Sequence, residues 1–463
     1  MIPAAGYQGA RVGVLGLGRS GLATARALVA GGAEPLLWDD GEAARATAEQ
    51  AGFALGDLSR PREAGSLAAL VVSPGIAHLF PEPHPAVAAA VAAGVPVDND
   101  VGLFFRALMA LEPEDGPEPK VVAVTGSNGK STTTALLAHI LAEAVRPVQA
   151  GGNIGRAVFD LDPPPAGGVL ALELSSYQTE LARTLAPDVA VFLNLTPDHL
   201  DRHGGEGGYF AAKRRLFEIG APETAVVGVD DRYGRFLANT LGERTIPVAT
   251  TRKLKDAPHG VFMAGNHLSE WKGGRQIASA DLREALALAG AHNHQNACAA
   301  WAAARALGVA PKRIAAALAS FPGLAHRMER LGTANGVLWV NDSKATNADA
   351  TARALACFER VRLIAGGRPK EGGLAALADL AGRIAHAYLI GEAAESFAAE
   401  LGDIPHTLCG DLDTAVARAR AGALPGDVVL FSPAAASFDQ FRDFEARGEA
   451  FRAIVAPYLE DGA

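Results

Sequence analysis

Seven consecutive residues, Gly126-Ser127-Asn128-Gly129-Lys130-Ser131-Thr132, set two glycines, a lysine and three hydroxyls behind the apolar run VVAVT (121–125). Glycines let backbone N–H groups converge on phosphate oxygens, and the helix predicted to follow adds the positive end of its dipole. Lys130 can reach β- and γ-phosphates, while the Ser131 or Thr132 hydroxyl can bind Mg²⁺. The loop departs from G-x-x-x-x-G-K-S in one place, with Val124 where the first glycine would stand. Further along, Glu173 ends the apolar run of VLALELSSYQ (169–178), where a neighbouring strand presents an acid to Mg²⁺ or a turn acid caps a helix. VAVFLNLTPDHLDRHG (189–204) runs past Asn194 into Asp198, His199, Asp201, Arg202 and His203, a cluster read as a metal or phosphate site. In YFAAKRRLFEIG (209–220), Lys213 stands beside Arg214 and Arg215, and by charge alone this is a solvated helix face. A second glycine turn, Gly16-x-Gly18-x-x-Gly21, is followed by Asp39 at the end of the next strand. That pattern leaves open a dinucleotide, another nucleotide-like ligand, or plain strand-to-helix packing. Together the two turns suggest two nucleotide-bearing ligands, one of them a hydrolysable triphosphate.

Chemistry of this kind needs strands that end together, and the chain supplies them. RVGVLGLG (11–18), PLLWDD (35–40), LAALVVSPG (67–75), KVVAVTG (120–126), GVLWVND (336–342), RLIAGG (362–367), AYLIGE (387–392) and DVVLFSP (427–433) read as strands. They alternate with Ala-rich helical stretches such as 20–32, with Ser20 as N-cap, and 292–308, followed by 311–321. This alternation predicts an α/β protein with parallel sheets. LEPEDGPEP (111–119) packs three prolines and four acids into nine positions and reads as a linker. A second boundary falls near residue 323, giving three α/β domains over 1–112, 113–323 and 324–463.

At 463 residues the chain exceeds what one core supports. Its 49% hydrophobic content and mean hydropathy of +0.13 are globular. The net charge of −9 argues against a general nucleic-acid binder. No stretch reaches the ~20 apolar residues of a membrane span, and the first residues lack a basic and apolar leader, so a cytoplasmic protein is expected. Cys298, Cys357 and Cys409 are too scattered for a disulfide framework or zinc site and are expected to pack in cores.

TGSNGKST, GGNIG (151–155), ELSSYQ, NLTPDHLDRH, AAKRRLF, GAHNHQN (290–296), LAHRME (324–329), NDSKATN (341–347) and SPAAASFDQFRDFEARG (432–448) occur in the order found in the Mur ligases. The chain resembles that family over essentially its whole length. NDSKATN and the SFDQF segment resemble the members that add D-glutamate to UDP-N-acetylmuramoyl-L-alanine in peptidoglycan synthesis. The resemblance implies a Rossmann-like domain for the UDP sugar, a central P-loop ATPase and a C-terminal amino-acid domain, acting as a monomer. It implies that Gly126, Ser127, Asn128, Gly129, Lys130, Ser131, Thr132, Asn293, Asn296, Arg327 and Asp342 hold ATP. Catalytic roles fall to Lys130, Glu173, His199 and Lys213. Two Mg²⁺ ions would be held by Ser131, Glu173, His199 and a carbamylated Lys213. An ammonium cannot ligate Mg²⁺, whereas its CO₂ adduct is a long-armed carboxylate. Gly18, Arg19, Ser20, Asp39, Asp40, Ser73, Gly75, Asn153 and His199 would meet the UDP sugar. Thr346, Lys370, Ser437, Phe438 and Phe444 would meet D-glutamate, a ligand whose two carboxylates suit lysine and hydroxyl donors. Two departures stand out. Asp40-Gly41 replaces the Thr-Arg pair of the family's best-known member, and GGRPKEGG (366–373) keeps its lysine without the acidic and aromatic residues that often come after it.

The nearest alternatives are another Mur ligase or a folylpolyglutamate-synthase-like amide ligase. Beyond these stand a nicotinamide-dependent dehydrogenase, which would need no GKST loop, and a catalytically idle P-loop module.

Overall fold

The computed structural model describes residues 1–111, 115–288, 290–369 and 373–460, with the backbone alone of Leu286, Ala291 and His292. The chain forms two compact units, Met1–Phe321 and Pro322–Ala463.

The first unit holds two sheets. One has five parallel strands in the order Ala54–Leu55, Glu34–Trp38, Arg11–Leu15, Ala69–Val72 and Val97–Asp98. The chain winds outward from Arg11–Leu15 in both directions, so the crevice beside that strand's carboxyl end is where a doubly wound sheet binds ligands. Gly16 turns the chain there with φ +91°, and a Cβ on Gly21 would lie 1.9 Å from the Gly16 carbonyl oxygen. Gly21→Ala is therefore expected to destabilise the protein by roughly 1–3 kcal/mol, read as a lower denaturation midpoint. The helix Arg19–Ala30 is capped by Gly18, not by Ser20 as the sequence suggested. Gly18 supplies the extended backbone of a cap without a side chain, and Ser20 lies inside the first turn, its main-chain oxygen accepting from Thr24 Oγ1 at 2.8 Å.

The second sheet has nine strands. Seven are parallel: Val148–Gly152, Val169–Glu173, Lys120–Thr125, Val189–Phe192, Thr224–Gly228, Thr245–Ala249 and His259–Ala264. His267–Lys272 and Arg275–Asp281 then extend the edge antiparallel, through turns with positive φ at Gly265, Gly273 and Gly274. Val121 to Val124 are buried on both faces, as a central parallel strand requires. The helix Ala291–Ala306 packs on Lys130–Glu143, and every residue from Ala297 to Ala304 is fully buried. Cys298 belongs to this core. Cys357, by contrast, is exposed, because it comes after the end of the helix Ala348–Leu355 rather than lying on its inner face.

In the second unit six strands run in the order Glu329–Ala334, Val337–Asn341, Val428–Phe431, Val361–Gly366, Ile384–Ile390 and His406–Gly410. Only the first is antiparallel.

Candidate active site

The strand Lys120–Thr125 lies between Val169–Glu173 and Val189–Phe192, so the segments leaving those two neighbours flank its glycine loop. The loop is held from one side by the segment after Val189–Phe192. Asn194 accepts from Ser127 N through its main-chain oxygen and from Asn128 N through Oδ1, each at 2.9 Å. Ser127 Oγ exchanges hydrogen bonds with Thr196 O and Thr196 N, both at 3.0 Å. From the other side comes Asn296, whose Oδ1 would lie 2.1 Å from a Cβ on Gly129 and whose Nδ2 donates to Asn293 Oδ1 at 3.2 Å. Gly129, at φ +87°, is thus required twice over, by conformation and by space. Gly129→Ala should cut turnover and lower the melting temperature together, by steric pressure on Asn296.

Two lysine Nζ atoms meet one carbonyl here. Lys130 Nζ donates to Gly126 O and Ser127 O, and Lys213 Nζ donates to Gly126 O, all at 2.9 Å. Lys213 is only 1% exposed, so the charge-run reading of its helix as a solvated face does not hold. Its neighbours are engaged as well: Arg214 pairs with Glu218, and Arg215 donates to Thr179 O and Ala182 O. Burial pushes the Lys213 amine well below its ordinary value, and the nearby Lys130 charge pushes the same way against weaker opposing pulls from Asp198 and Glu173. Tyr209, which carries no assignment from sequence, lays its ring 4.5 Å from Lys213 Nζ and its hydroxyl 3.1 Å from Ser127 Oγ. Burial raises its pKa to about 12, so it stays a neutral phenol. The only sequence signal for it was its place one helical turn before the lysine.

Glu173 is 2% exposed and does not cap a helix; Ser175 does that, with a capping box to Gln178. Glu173 Oε1 accepts from Asn153 Nδ2 at 3.1 Å, and Asn153 N donates to Glu173 O at 2.9 Å. Glu173 Oε2 is buried with no hydrogen-bond partner. His199 precedes the short helix Leu200–His203 with φ +51°, a left-handed conformation costly for a histidine. Its ring lies 5.1 Å from that of Tyr177 and its Nε2 3.4 Å from Asp198 Oδ2. Among the described residues no three His, Cys, Asp or Glu side chains form a metal-binding cluster by themselves. The expected set contains only two such residues, so a cation there would rely on Ser131 and a modified Lys213 as well.

At the five-stranded sheet, Asp39 accepts from Leu17 N at 2.7 Å and Gly41 N at 2.8 Å, and Ser73 Oγ donates to Gly16 O at 2.9 Å. Three adjacent strand ends therefore close around the Gly16–Gly21 turn. Arg19 reaches Gly155 O, while Asp40 takes His84 Nε2 at 3.0 Å and Gly75 is exposed.

In the second unit, Asp342 comes just after Val337–Asn341 and Ser437 after the neighbouring Val428–Phe431. Asp342 is buried, accepting from Ser432 Oγ at 2.8 Å and Met328 N at 3.1 Å. Desolvation raises its pKa to about 7, against opposing pulls from those donors and Arg327. Because the folded value lies above the ordinary 3.8, folding favours the protonated acid, and stability falls as pH rises between these two values. The stability gained by Asp342→Asn should therefore grow from pH 4 to about 7 and then level off. A gain independent of pH in urea titrations overturns this. Ser437 is buried, Phe438 is exposed, and Thr346 and Phe444 are half-buried, with Lys344 Nζ 4.3 Å from the Phe444 ring. Lys370 lies outside the described residues. Arg447, unassigned from sequence, is fully buried and donates to Ser343 O at 2.8 Å, Ser343 Oγ at 3.1 Å and Ala435 O at 3.1 Å, tying the two strand-end loops together.

A parallel sheet with a glycine-lysine loop, a buried acid on the adjacent strand and an asparagine on the helix behind defines a P-loop nucleotide-using α/β protein. Residues 124–304 match the Mur ligase middle domain, and residues 326–435 match the Mur ligase, glutamate ligase domain. The chain is 59% identical to the UDP-N-acetylmuramoylalanine–D-glutamate ligase of Cereibacter sphaeroides over 99% of its own length and 100% of the relative. It is 58% identical to the enzyme of the same name from Ruegeria pomeroyi, with the same coverage. Its fold resembles that of the UDP-N-acetylmuramate–alanine ligase of Thermotoga maritima, with a TM-score of 0.58 at 18% identity over 98% of this chain and 100% of that one. The chain belongs to the Mur ligase family.

Proposed function

We propose that the chain is an ATP-dependent ligase that joins D-glutamate to UDP-N-acetylmuramoyl-L-alanine through an acyl phosphate, releasing ADP and phosphate. This is a cytoplasmic step of peptidoglycan synthesis, and so of cell-wall growth, shape and division. The full-length identity to D-glutamate ligases carries the reading, and the phosphate loop flanked by Glu173 and Lys213 supports it. Among the described residues no helix is long and apolar enough to cross a membrane. A monomer is part of this reading. The reading keeps three domains over 1–112, 113–323 and 324–463, which the presence of three separate sheets supports.

The loop N–H groups and the Lys130 ammonium stabilise the charge that builds on the γ-phosphoryl group as an oxygen of the alanine carboxylate attacks phosphorus and ADP leaves. The D-glutamate amine then attacks the acyl carbon, loses a proton, and expels phosphate that carries one former carboxylate oxygen. Asn153, fixed by Glu173, orients the acceptor, and Thr346, Ser437, Phe438, Phe444 and Lys370 are assigned to D-glutamate. Asn293, Asn296, Arg327 and Asp342 are assigned to ATP; Gly18, Arg19, Ser20, Asp39, Asp40, Ser73 and Gly75 to the UDP sugar.

Two Mg²⁺ ions fit the residues present. Glu173 Oε2 is a buried carboxylate oxygen without a hydrogen-bond partner, Ser131 lies in the first turn of the loop helix, and His199 offers a half-exposed imidazole. When bound, Mg²⁺ supplies charge neutralisation at the phosphates. Lys213 completes the set as a carbamate: its neutral amine adds CO₂, forming an N–C bond and releasing one proton. Burial of the amine supplies the neutral form that this step needs.

The reading is tested by phosphate release with D-glutamate, L-glutamate, L-alanine and meso-diaminopimelate offered separately. D-glutamate alone should support turnover, and only with UDP-N-acetylmuramoyl-L-alanine present. A preference for another amino acid overturns the assignment.

A further inference from the structure

Within the first unit, a junction beside the phosphate site holds buried titratable side-chain atoms that the chemistry above does not use. The loop after Ala69–Val72 runs over the short helix Leu200–His203. Arg202 donates to Phe80 O at 2.6 Å and to Ile76 O at 2.9 Å, and a Cβ on Gly204 would come within 3.0 Å of the Phe80 ring. Next to this contact, side chains from two further elements converge on the carboxylate of a third. Glu180, on the helix Ser176–Leu181, places Oε2 3.2 Å from His203 Nδ1 and 3.6 Å from His78 Nε2.

The His203 side chain is completely buried. Its Nε2 bonds Ser176 Oγ at 2.9 Å, and its ring stacks on Tyr177 at 5.2 Å, the same ring that lies 5.1 Å from His199. Glu180 Oε2 and His203 Nδ1 are buried without an aligned hydrogen-bond partner. Proximity therefore defines this contact, rather than hydrogen-bond direction. A buried carboxylate oxygen set between two imidazoles is costly to leave without an aligned donor, and structures retain such groups where they serve position or function. The three elements are those that matter most to the site. One loop carries Ser73 and Gly75, one helix begins just after Glu173, and one begins just after His199.

We infer that Glu180 is a positioning residue that ties the Ser73–Pro81 loop to the helix behind His199, through His78 on one side and His203 on the other. Occupancy of the sugar-nucleotide loop then sets the place of His199. This rests on the ligase reading, and wild-type turnover checks that reading first.

Mn²⁺ binding in the presence of a non-hydrolysable ATP analogue, followed by electron paramagnetic resonance, is compared for wild type, Glu180→Gln and His78→Gln. Glu180→Gln keeps size and an acceptor oxygen but removes the charge. It should raise half-saturating Mn²⁺ about tenfold, and the Mg²⁺ requirement of turnover with it, as loss of an outer-shell partner does. KM for D-glutamate and the melting temperature should hardly move. His78→Gln should raise KM for the sugar nucleotide and half-saturating Mn²⁺ together, each by a few fold. Unchanged Mn²⁺ binding in folded Glu180→Gln overturns the inference. So does a loss shared equally by metal and D-glutamate in step with the melting temperature, which is what general loosening produces. Should Glu180→Gln not fold, His78→Gln decides alone, and unchanged metal binding in it is the contrary result. An inactive wild type would sink the ligase reading instead, while the Mn²⁺ comparison still stands.

Discussion

Lys130→Ala is expected to abolish D-glutamate-dependent ADP formation, with turnover falling by about 10³-fold or more. Lys130 is the loop's own cation, held 2.9 Å from two loop carbonyls and so kept among the N–H groups that receive the phosphates. Its charge acts where the transferring phosphoryl group becomes most negative, and no neighbouring group can replace it. Lys213 is deeper, and its amine is disfavoured as a cation. The fold does not depend on Lys130, a partly buried residue at the first position of its helix, so the melting temperature should stay within a few degrees of wild type. Near-normal turnover in a folded variant overturns the assignment of the phosphate loop.

Lys213→Met is expected to be the second severe loss, again about 10³-fold in turnover, with no loss of stability. Methionine fills a similar volume and relieves the fold of a 1% exposed amine. It cannot add CO₂, so the oxygen ligand assigned to the metal disappears. Lys213→Arg should be as inactive and less stable, because a guanidinium remains charged where burial opposes charge. Depleting CO₂ should reduce wild-type turnover, and bicarbonate should restore it, with no effect on either variant. A folded Lys213→Met protein retaining a tenth of wild-type turnover contradicts the carbamate.

Much of this was legible before any fold was known. The GSNGKST loop, Glu173 and His199 stand at the ends of apolar runs of strand length, and runs buried on both faces must lie side by side in a parallel sheet. Ending together follows from running together. Lys213 was not legible from charge, since KRR on a helix looks solvated. Only the packing of that helix shows that the lysine turns inward while Arg214 and Arg215 stay on its flanks. The antiparallel edge His259–Ala264, His267–Lys272 and Arg275–Asp281 was also missed, although Gly265-Asn266 and Gly273-Gly274 are hairpin turn residues. Arg447 and Glu180 lay out of reach for another reason. Their partners, Ser343 and His78, are about a hundred residues away, and no local period reports a long-range polar contact. Ser20 misled because a serine before an apolar helix imitates a cap that Gly18 supplies through its backbone.

Carboxylate activation by phosphoryl transfer leaves its record in the path of one oxygen atom. UDP-N-acetylmuramoyl-L-alanine labelled with ¹⁸O in the alanine carboxylate, turned over with ATP and D-glutamate, should yield inorganic phosphate carrying one ¹⁸O per amide formed, detected by mass spectrometry. Unlabelled phosphate alongside the amide product would contradict activation of the carboxylate by phosphoryl transfer.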